Sequence, residues 1–403
     1  MLQYFYQMST DESMNRIKQL RLARGFSLDE LSDAMGGIVT KQALSKYELG
    51  ASVPSAPVLN QLARALNVKA MDLWAAPSLE IKFLGYRKKL SLSQRWQESF
   101  EANLTRKLEE RLKLQAYCYA NIHFDLPVHS YEVYCEADAE KAAESLRERW
   151  NLGVDPVADL TAVLEDHLVH VLVMDGPDNF DGISAIVSDA SENALAAAVV
   201  SRTGCPGERQ RLNLAHELGH VVLRPGKEVD EEKAAFRFAA AFLAPRLCIE
   251  REIGIRRTRI RMEELLILKR RFGLSIQALL RRLLDLGTIG ESQYRWWFMF
   301  LGKMKWRRDE PEPLPPEKAT WLKQAVHRCL AEGFITVEEG ERILGEKLET
   351  ESGPAMLRRK AFLKLPLEER RRILEAQAEK LQERYEKEED WSSTESDDFD
   401  EHK

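Results

Sequence analysis

Cysteine is scarce in this chain. The five present, Cys118, Cys135, Cys205, Cys248 and Cys329, are scattered, odd in number and never spaced as C-x-x-C. That excludes a disulfide framework and a thiolate-built zinc site, and it points to a reduced, cytoplasmic setting. Long apolar runs are missing too. Nothing reads as a membrane span, and Met1 to Ser13 has neither the basic start nor the apolar core of a secretory leader, so no signal peptide is expected. What remains is a 403-residue chain, 44% hydrophobic, with room for two to four compact domains.

The most informative segment is Arg211 to Leu223, R-L-N-L-A-H-E-L-G-H-V-V-L. On a helix His216 and His220, four apart, project from one face, so both imidazoles can reach a single tetrahedral zinc while Glu217 points at its water. The apolar flank of Leu212, Leu214, Ala215, Leu218, Val221, Val222 and Leu223 suits a buried active-site helix, which Pro225-Gly226 then stops. This is the pattern of a zinc-dependent hydrolase. A second helical pattern opens at Asp230-Glu231-Glu232 and runs to Pro245. Glu232 stands three and seven residues ahead of the small Ala235 and Ala239, over the face able to pack closely on the histidine helix.

Arg211-Leu212-Asn213-Leu214-Ala215-His216-Glu217-Leu218-Gly219-His220, followed by Glu232-Lys233-Ala234-Ala235-Phe236-Arg237-Phe238-Ala239, resembles the ImmA/IrrE family of zinc metallopeptidases. The resemblance implies Zn2+ held by His216, His220 and Glu232, with Glu217 as general base. Phe236 departs from the family, which often carries Asn there; the position is no ligand, so the departure concerns packing. Zinc activates water and polarises a carbonyl, and Glu217 would take the proton and return it to the leaving amine. Arg209 and Arg211, just ahead of the helix, are candidates for stabilising the oxyanion. His167 and His170 offer no partner to the zinc pattern and are read as structural.

The second signal lies between Met14 and Trp74, a series of short amphipathic pieces. Ser27-x-x-Glu30 is a capping box, and Gly36-Gly37 breaks the second piece before the third. Thr40-Lys41-Gln42-Ala43-Leu44-Ser45-Lys46-Tyr47-Glu48-Leu49-Gly50, with Val53-Pro54-Ser55 after it, is similar to the recognition helix and following loop of phage-repressor-like (XRE/Cro) helix-turn-helix domains. In that fold the front of this helix enters the major groove, so Lys41, Gln42, Ser45 and Lys46 are the expected DNA contacts, with Leu44 and Tyr47 facing the core. Residues 14–74 carry eight Lys and Arg against five Asp and Glu, in a chain of net charge -6. That asymmetry favours double-stranded DNA as the partner.

The expected fold class is α+β, mostly α: an N-terminal five-helix helix-turn-helix domain (14–74), a helical linker (75–135), a zincin-like metallopeptidase core with a small sheet (136–250), a helical extension resembling a helix-turn-helix unit (251–305), a connector with a helical pair (306–350), and a charged helix with a disordered acidic tail (351–403). The strands expected before the zinc helix are Val169–Met174, Ile183–Val187 and Ala196–Ser201. The arginines of the extension, among them Arg270, Arg271, Arg281 and Arg282, are read as a solvated face.

Together these readings describe a cytoplasmic DNA-binding regulator with a zinc endopeptidase domain. Its expected partners are an operator, a repressor-type protein cleaved in trans (or the chain itself) and, as a possible homodimer, a second copy; no membrane is involved. The competing reading is a non-enzymatic regulator or antitoxin whose metallopeptidase fold senses a ligand or binds a partner. Glu217 favours the enzyme, since a binding module has no use for a general base.

Overall fold

A computed structural model describes residues 16–73, 79–84, 93–119, 127–178, 180–189, 191–307, 309–348, 362, 365, 366 and 369–375. The chain divides into two compact units, Met1–Ile335 and Thr336–Lys403.

The first unit begins with α1 (residues 16–23), α2 (Leu28–Ala34), α3 (Lys41–Glu48), α4 (Ala56–Leu66) and a 3-10 turn at Ala70–Leu73, which takes the place of the expected fifth helix. Residues 14, 15 and 74 lie outside the described residues. The capping box is formed: Glu30 N–H donates to Ser27 Oγ at 3.1 Å, and Ser27 N–H donates to Glu30 Oε2 at 2.6 Å. Gly36 and Gly37, at φ 74° and 69°, turn the chain where an L side chain would be strained. Thr40 then caps α3. Ile17, Leu20, Leu31, Leu44, Leu62 and Leu66 form the core. Beside it, Arg21 reaches Glu48 at 2.5 and 2.9 Å, tying α1 to α3.

The second layer is a four-stranded sheet. Strands β1 (Glu80–Leu84), β3 (Val169–Met174), β4 (Gly182–Ser188) and β5 (Ala194–Arg202) lie in the order β1-β4-β5-β3. β1 and β5 are antiparallel to β4, and β3 is parallel to β5. Its two faces alternate along each strand. Leu172, Ile183, Ala185, Ala198 and Val200 meet Phe100, Leu104, Leu108 and Leu112 of α5 (Gln94–Tyr119). Val169, Val171, Ala197 and Val199 face the opposite core with Leu214, Leu218 and Val221 of α8 (Gly207–Val222). Because both faces are covered, these strands read as nearly continuous apolar runs. Around α8 stand α6 (Glu136–Arg149), α7 (Leu160–Asp166), α9 (Glu231–Leu243), α10 (Arg246–Ile253), α11 (Met262–Phe272), α12 (Ile276–Asp285) and α13 (Glu291–Lys303). A two-stranded parallel ribbon pairs β2 (Tyr131–Val133) with β6 (Leu223–Pro225).

Three segments differ from their sequence reading. The charged helix before the sheet is more than a link: it covers the sheet and also carries the N-terminal helices, through Arg16–Glu109 contacts of 2.6 Å and a bond from Ser99 Oγ to Leu22 O at 2.8 Å. The proline-rich stretch after α13 is a strap bound to the core. Gly207 N–H donates to Leu314 O at 2.8 Å, and Glu310 accepts from Ile276 N at 2.7 Å and pairs with Lys269 at 3.1 Å. Beyond the strap, α14 (Trp321–Ala331) packs on α5. Arg282, read as solvated, is fully buried and donates to Ala244 O at 2.9 Å and Glu140 Oε1 at 3.0 Å. Burial raises the Glu140 carboxyl, but Arg282, Arg237 and Arg246 more than offset this and hold it below the usual range.

The second unit contains α15 (Val337–Leu344), capped by Thr336. Residues 369–375 of the expected charged helix are helical; the rest of it, and the acidic tail, lie outside the described residues.

His170 is structural, as expected from its spacing. Its Nε2–H donates to Gln115 Oε1 at 3.0 Å, and its ring meets Trp321 edge-on. Complete burial, with Arg111 nearby, holds the imidazole well below the ordinary histidine range. Below about pH 6.5 the unfolded histidine binds a proton that the folded one refuses, so stability is lost as pH falls through that value. Urea midpoints measured at roughly pH 7 and pH 5 check this. His170→Gln should reduce the loss by up to about 1.4 kcal/mol per pH unit; an unchanged slope contradicts the assignment.

Candidate metal centre and DNA-reading helix

The histidines stand on the last turns of α8, and the acidic residue on the first turn of α9. Two local features bring them together. Asp230 caps α9 by accepting from Glu232 N–H at 3.1 Å and Lys233 N–H at 3.3 Å, which fixes the helix start. Gly219 lies against Ala235: a Cβ at Gly219 would be 3.2 Å from Ala235 Cα and 3.3 Å from Ala235 Cβ. Small residues at one crossing let the backbones approach closely enough for Glu232 to meet both rings.

The three groups converge. His216 Nε2 and His220 Nε2 are 3.1 Å apart, His216 Nε2 is 3.3 Å from Glu232 Oε2, and His220 Nε2 is 3.7 Å from Glu232 Oε1. Zn–N bonds of about 2.0–2.1 Å at a tetrahedral angle separate two ligand nitrogens by about 3.3–3.4 Å. The donor set and its spacing therefore fit a zinc ion. Among the described residues this is the group of His, Cys, Asp and Glu able to hold a metal.

Glu217, the residue after His216 on α8, lies against β4 and is 5% exposed. Ser184 Oγ donates to its Oε2 at 3.0 Å. Gly182 leaves it room, since a Cβ there would sit 3.0 Å from Glu217 Oε1 and 2.7 Å from Val200 O. The sequence reading missed Ser184, because only the sheet brings it to this helix. It also missed His129, whose ring lines a small cavity of about 110 Å³ with His220, Gly219 and Leu84. His129 Nδ1 bonds Leu223 O at 3.0 Å. Phe236, read as a matter of packing, lies over His216 with ring centroids 4.1 Å apart while 50% exposed. It walls the metal site.

Arg209 and Arg211, expected ahead of the helix, lie in its first turns and are engaged elsewhere. Arg211 is buried against Glu317, Val157 O and Ala158 O, so it anchors the strap. Arg209 pairs with Asp181 at 2.6 Å.

On α3, Leu44 is buried and Tyr47 packs on the same core, whereas Lys41, Gln42 and Lys46 are exposed and Ser45 is half-buried. One face of the helix is thus open to a groove. Lys41 pairs with Asp29 of α2 at 3.2 Å; both are exposed, so water screens the pair and phosphate can displace it.

Comparison with known proteins agrees with this division. The family model described as "Helix-turn-helix" matches residues 17–73, and the "IrrE N-terminal-like domain" model matches residues 203–284. The chain joins a helix-turn-helix DNA-binding domain of the XRE type to a peptidase-like domain of the ImmA/IrrE type. No curated protein matches it. Among solved structures it is similar to ComR from Streptococcus suis, at 14% identity over 83% of this chain and 87% of that one, with a TM-score of 0.15, too low to bear on fold or function. Among the described residues no helix is long and apolar enough to cross a membrane.

The close approach of the helices carries a prediction. Gly219→Val adds carbons where contacts are already 3.2–3.3 Å, so α8 and α9 must separate and withdraw Glu232 from the histidines. Zinc affinity, measured by competition with a chelator, should fall at least about tenfold, a loss of about 1.4 kcal/mol, with helical circular dichroism retained. Unaltered affinity in the folded variant would show that the crossing does not set the site.

Proposed function

We propose that this chain is a DNA-binding transcriptional regulator whose peptidase-like domain is a zinc-dependent endopeptidase. The convergence of His216 Nε2, His220 Nε2 and the Glu232 carboxylate, with Glu217 on the same helix, is the observation that carries it. When bound, zinc supplies Lewis acidity toward a peptide carbonyl and lowers the pKa of water at the site. The residues do the rest. Ser184 holds one Glu217 oxygen by a 3.0 Å bond, which fixes the carboxylate's orientation. Glu217 accepts the proton of the attacking water and returns it to the departing amine, so amide hydrolysis ends in a carboxylate and an amine. Its burial excludes competing solvent and strengthens each of these contacts. The substrate class is a protein, either a repressor of helix-turn-helix type cleaved in trans or this chain itself.

Lys41 and Lys46 are proposed to bind phosphate or guanine, Gln42 to pair with adenine, and Ser45 to contact a base or phosphate. A homodimer would present two such helices to paired half-sites. Gln42→Ala should cost roughly 1–3 kcal/mol of discrimination at one base pair. Lys41→Ala and Lys46→Ala should each weaken binding to all sequences and lower the salt slope by about one. Footprinting and salt titration on the promoters of the chain's own and neighbouring genes are the check; a Lys41→Ala, Gln42→Ala double variant that binds like wild type counts against this surface.

Because Glu217 moves protons without holding metal, Glu217→Gln should retain zinc and DNA affinity while cleavage slows by roughly 10²–10⁴-fold. Immunoblots of the regulator and of any adjacent repressor, with transcript levels of the controlled genes, compare the strains. Identical fragments and induction in both would replace the peptidase with a binding-only regulator.

A further inference from the structure

The strand that reaches the metal centre from outside it is β1, which lies in the segment between the DNA-binding helices and α5. It is the edge strand next to β4, and β4 carries both Gly182 and Ser184 against Glu217. The register sets Leu84 directly opposite Ser184. Residues paired across antiparallel strands project to the same face, so Leu84 shares the face on which Ser184 meets Glu217. The packing agrees: Ile81 and Phe83 join the α5 side of the sheet, while Leu84 packs with the α8 core and lines the 110 Å³ cavity with His129, Gly219 and His220. A side chain of this chain's own linking segment therefore stands beside a proposed metal ligand.

Without β1 the outer edge of β4 would present its backbone N–H and C=O groups alongside the metal site. Such an edge accepts an extended polypeptide of almost any sequence through main-chain bonds, with selectivity coming from the alternate side chains. We propose that this edge is the track for a protein substrate, and that β1 is its intramolecular occupant. The track takes an extended peptide antiparallel to β4 with an aliphatic side chain where Leu84 now sits. A substrate gains access by displacing β1. The proposal rests on the metallopeptidase reading and adds to it the substrate's conformation and the contact that restrains activity. β1 suits the part. It is five residues long, Glu80 and Lys82 are exposed on the Leu84 face, and an edge strand can leave without dissolving the layers behind it.

The test separates binding from catalysis by using zinc-loaded protein carrying Glu217→Gln. Glu80 and Ser188 are opposed in the ladder, so Glu80→Cys with Ser188→Cys can lock β1 on β4 when oxidised and free it when reduced. A fluorescein-labelled peptide of residues 79–84, Leu-Glu-Ile-Lys-Phe-Leu, is the probe, read by anisotropy. A tethered strand competes at an effective concentration of about millimolar, so locking it should weaken peptide binding at least about tenfold relative to the reduced form. Leu84→Gly, which removes the side chain that packs on the α8 core and lines the cavity with His220, should loosen β1 and tighten peptide binding over the parent. A probe peptide ending in Gly instead of Leu should bind less well to either. Equal binding to locked and reduced forms, or no binding to any form at millimolar probe, overturns the proposal. Failure of the peptidase reading looks different: peptide binding would persist and respond to the lock, while protein with Glu217 intact cleaves nothing.

Discussion

One helix crossing governs this site. Gly219 on α8 against Ala235 on α9 brings the second helix close enough for its first-turn carboxylate to reach two imidazoles on the first. Three donors from two helices can meet within one coordination sphere only if the helices cannot slide, and close packing between rigid elements resists that at low cost in side-chain entropy. Phe238 and Phe242 of α9 continue the same interface, packed in the core with Leu214, Leu218 and Val221 of α8. The Asp230 cap completes the arrangement by fixing where the first turn begins.

Around that crossing the fold uses buried charge as staples. Glu140 of α6 meets Arg237 of α9 and Arg282 of α12, while Lys269 of α11 meets Glu208 of α8 and Glu310 of the strap. Removing one partner from such a group strands a desolvated charge, at a cost of roughly 3–5 kcal/mol. These groups therefore fix which helix lies against which more than they add net stability. On the other side of the sheet, α5 serves two neighbours at once. Its apolar stripe floors the sheet, and Glu109 and Ser99 hold α1 of the DNA-binding domain. The strand that carries Ser184 and the helices of the helix-turn-helix domain thus share one support, and β1, drawn from the segment between them, closes the sheet's edge at the candidate metal site.

The parts of the molecule readable from sequence are those with a local code. His216 and His220 declare themselves by helical spacing, and the helix-turn-helix domain by the capping box of α2, the Gly-Gly break after it and the exposed Lys41-Gln42 front of α3. Strands β3, β4 and β5 are legible because burial on both faces makes them continuous apolar runs. Glu232 is set apart from the other helix-start acids, Asp230 and Glu231, by its spacing to the small Ala235 and Ala239, and the family resemblance then gives it the ligand role. Ser184, His129 and Leu84 could not be found, because each reaches the site through tertiary pairing. Arg211, read as a candidate oxyanion partner, and Arg282, read as solvated, differ from their readings for a related reason: what a helical guanidinium meets is set by a carbonyl or carboxylate from a distant segment, here Val157 O and Glu317 for one, Ala244 O and Glu140 for the other.

The account stands on a zinc ion held between α8 and α9, and X-ray absorption at the zinc edge on protein purified without added metal is the direct measurement. It should report one site of mixed nitrogen and oxygen donors without sulfur, with two imidazoles at about 2.0–2.1 Å, and Glu232→Ala should remove oxygen from that shell or empty the site. A spectrum with thiolate ligands, or one unchanged in Glu232→Ala, would place the metal elsewhere and contradict the account.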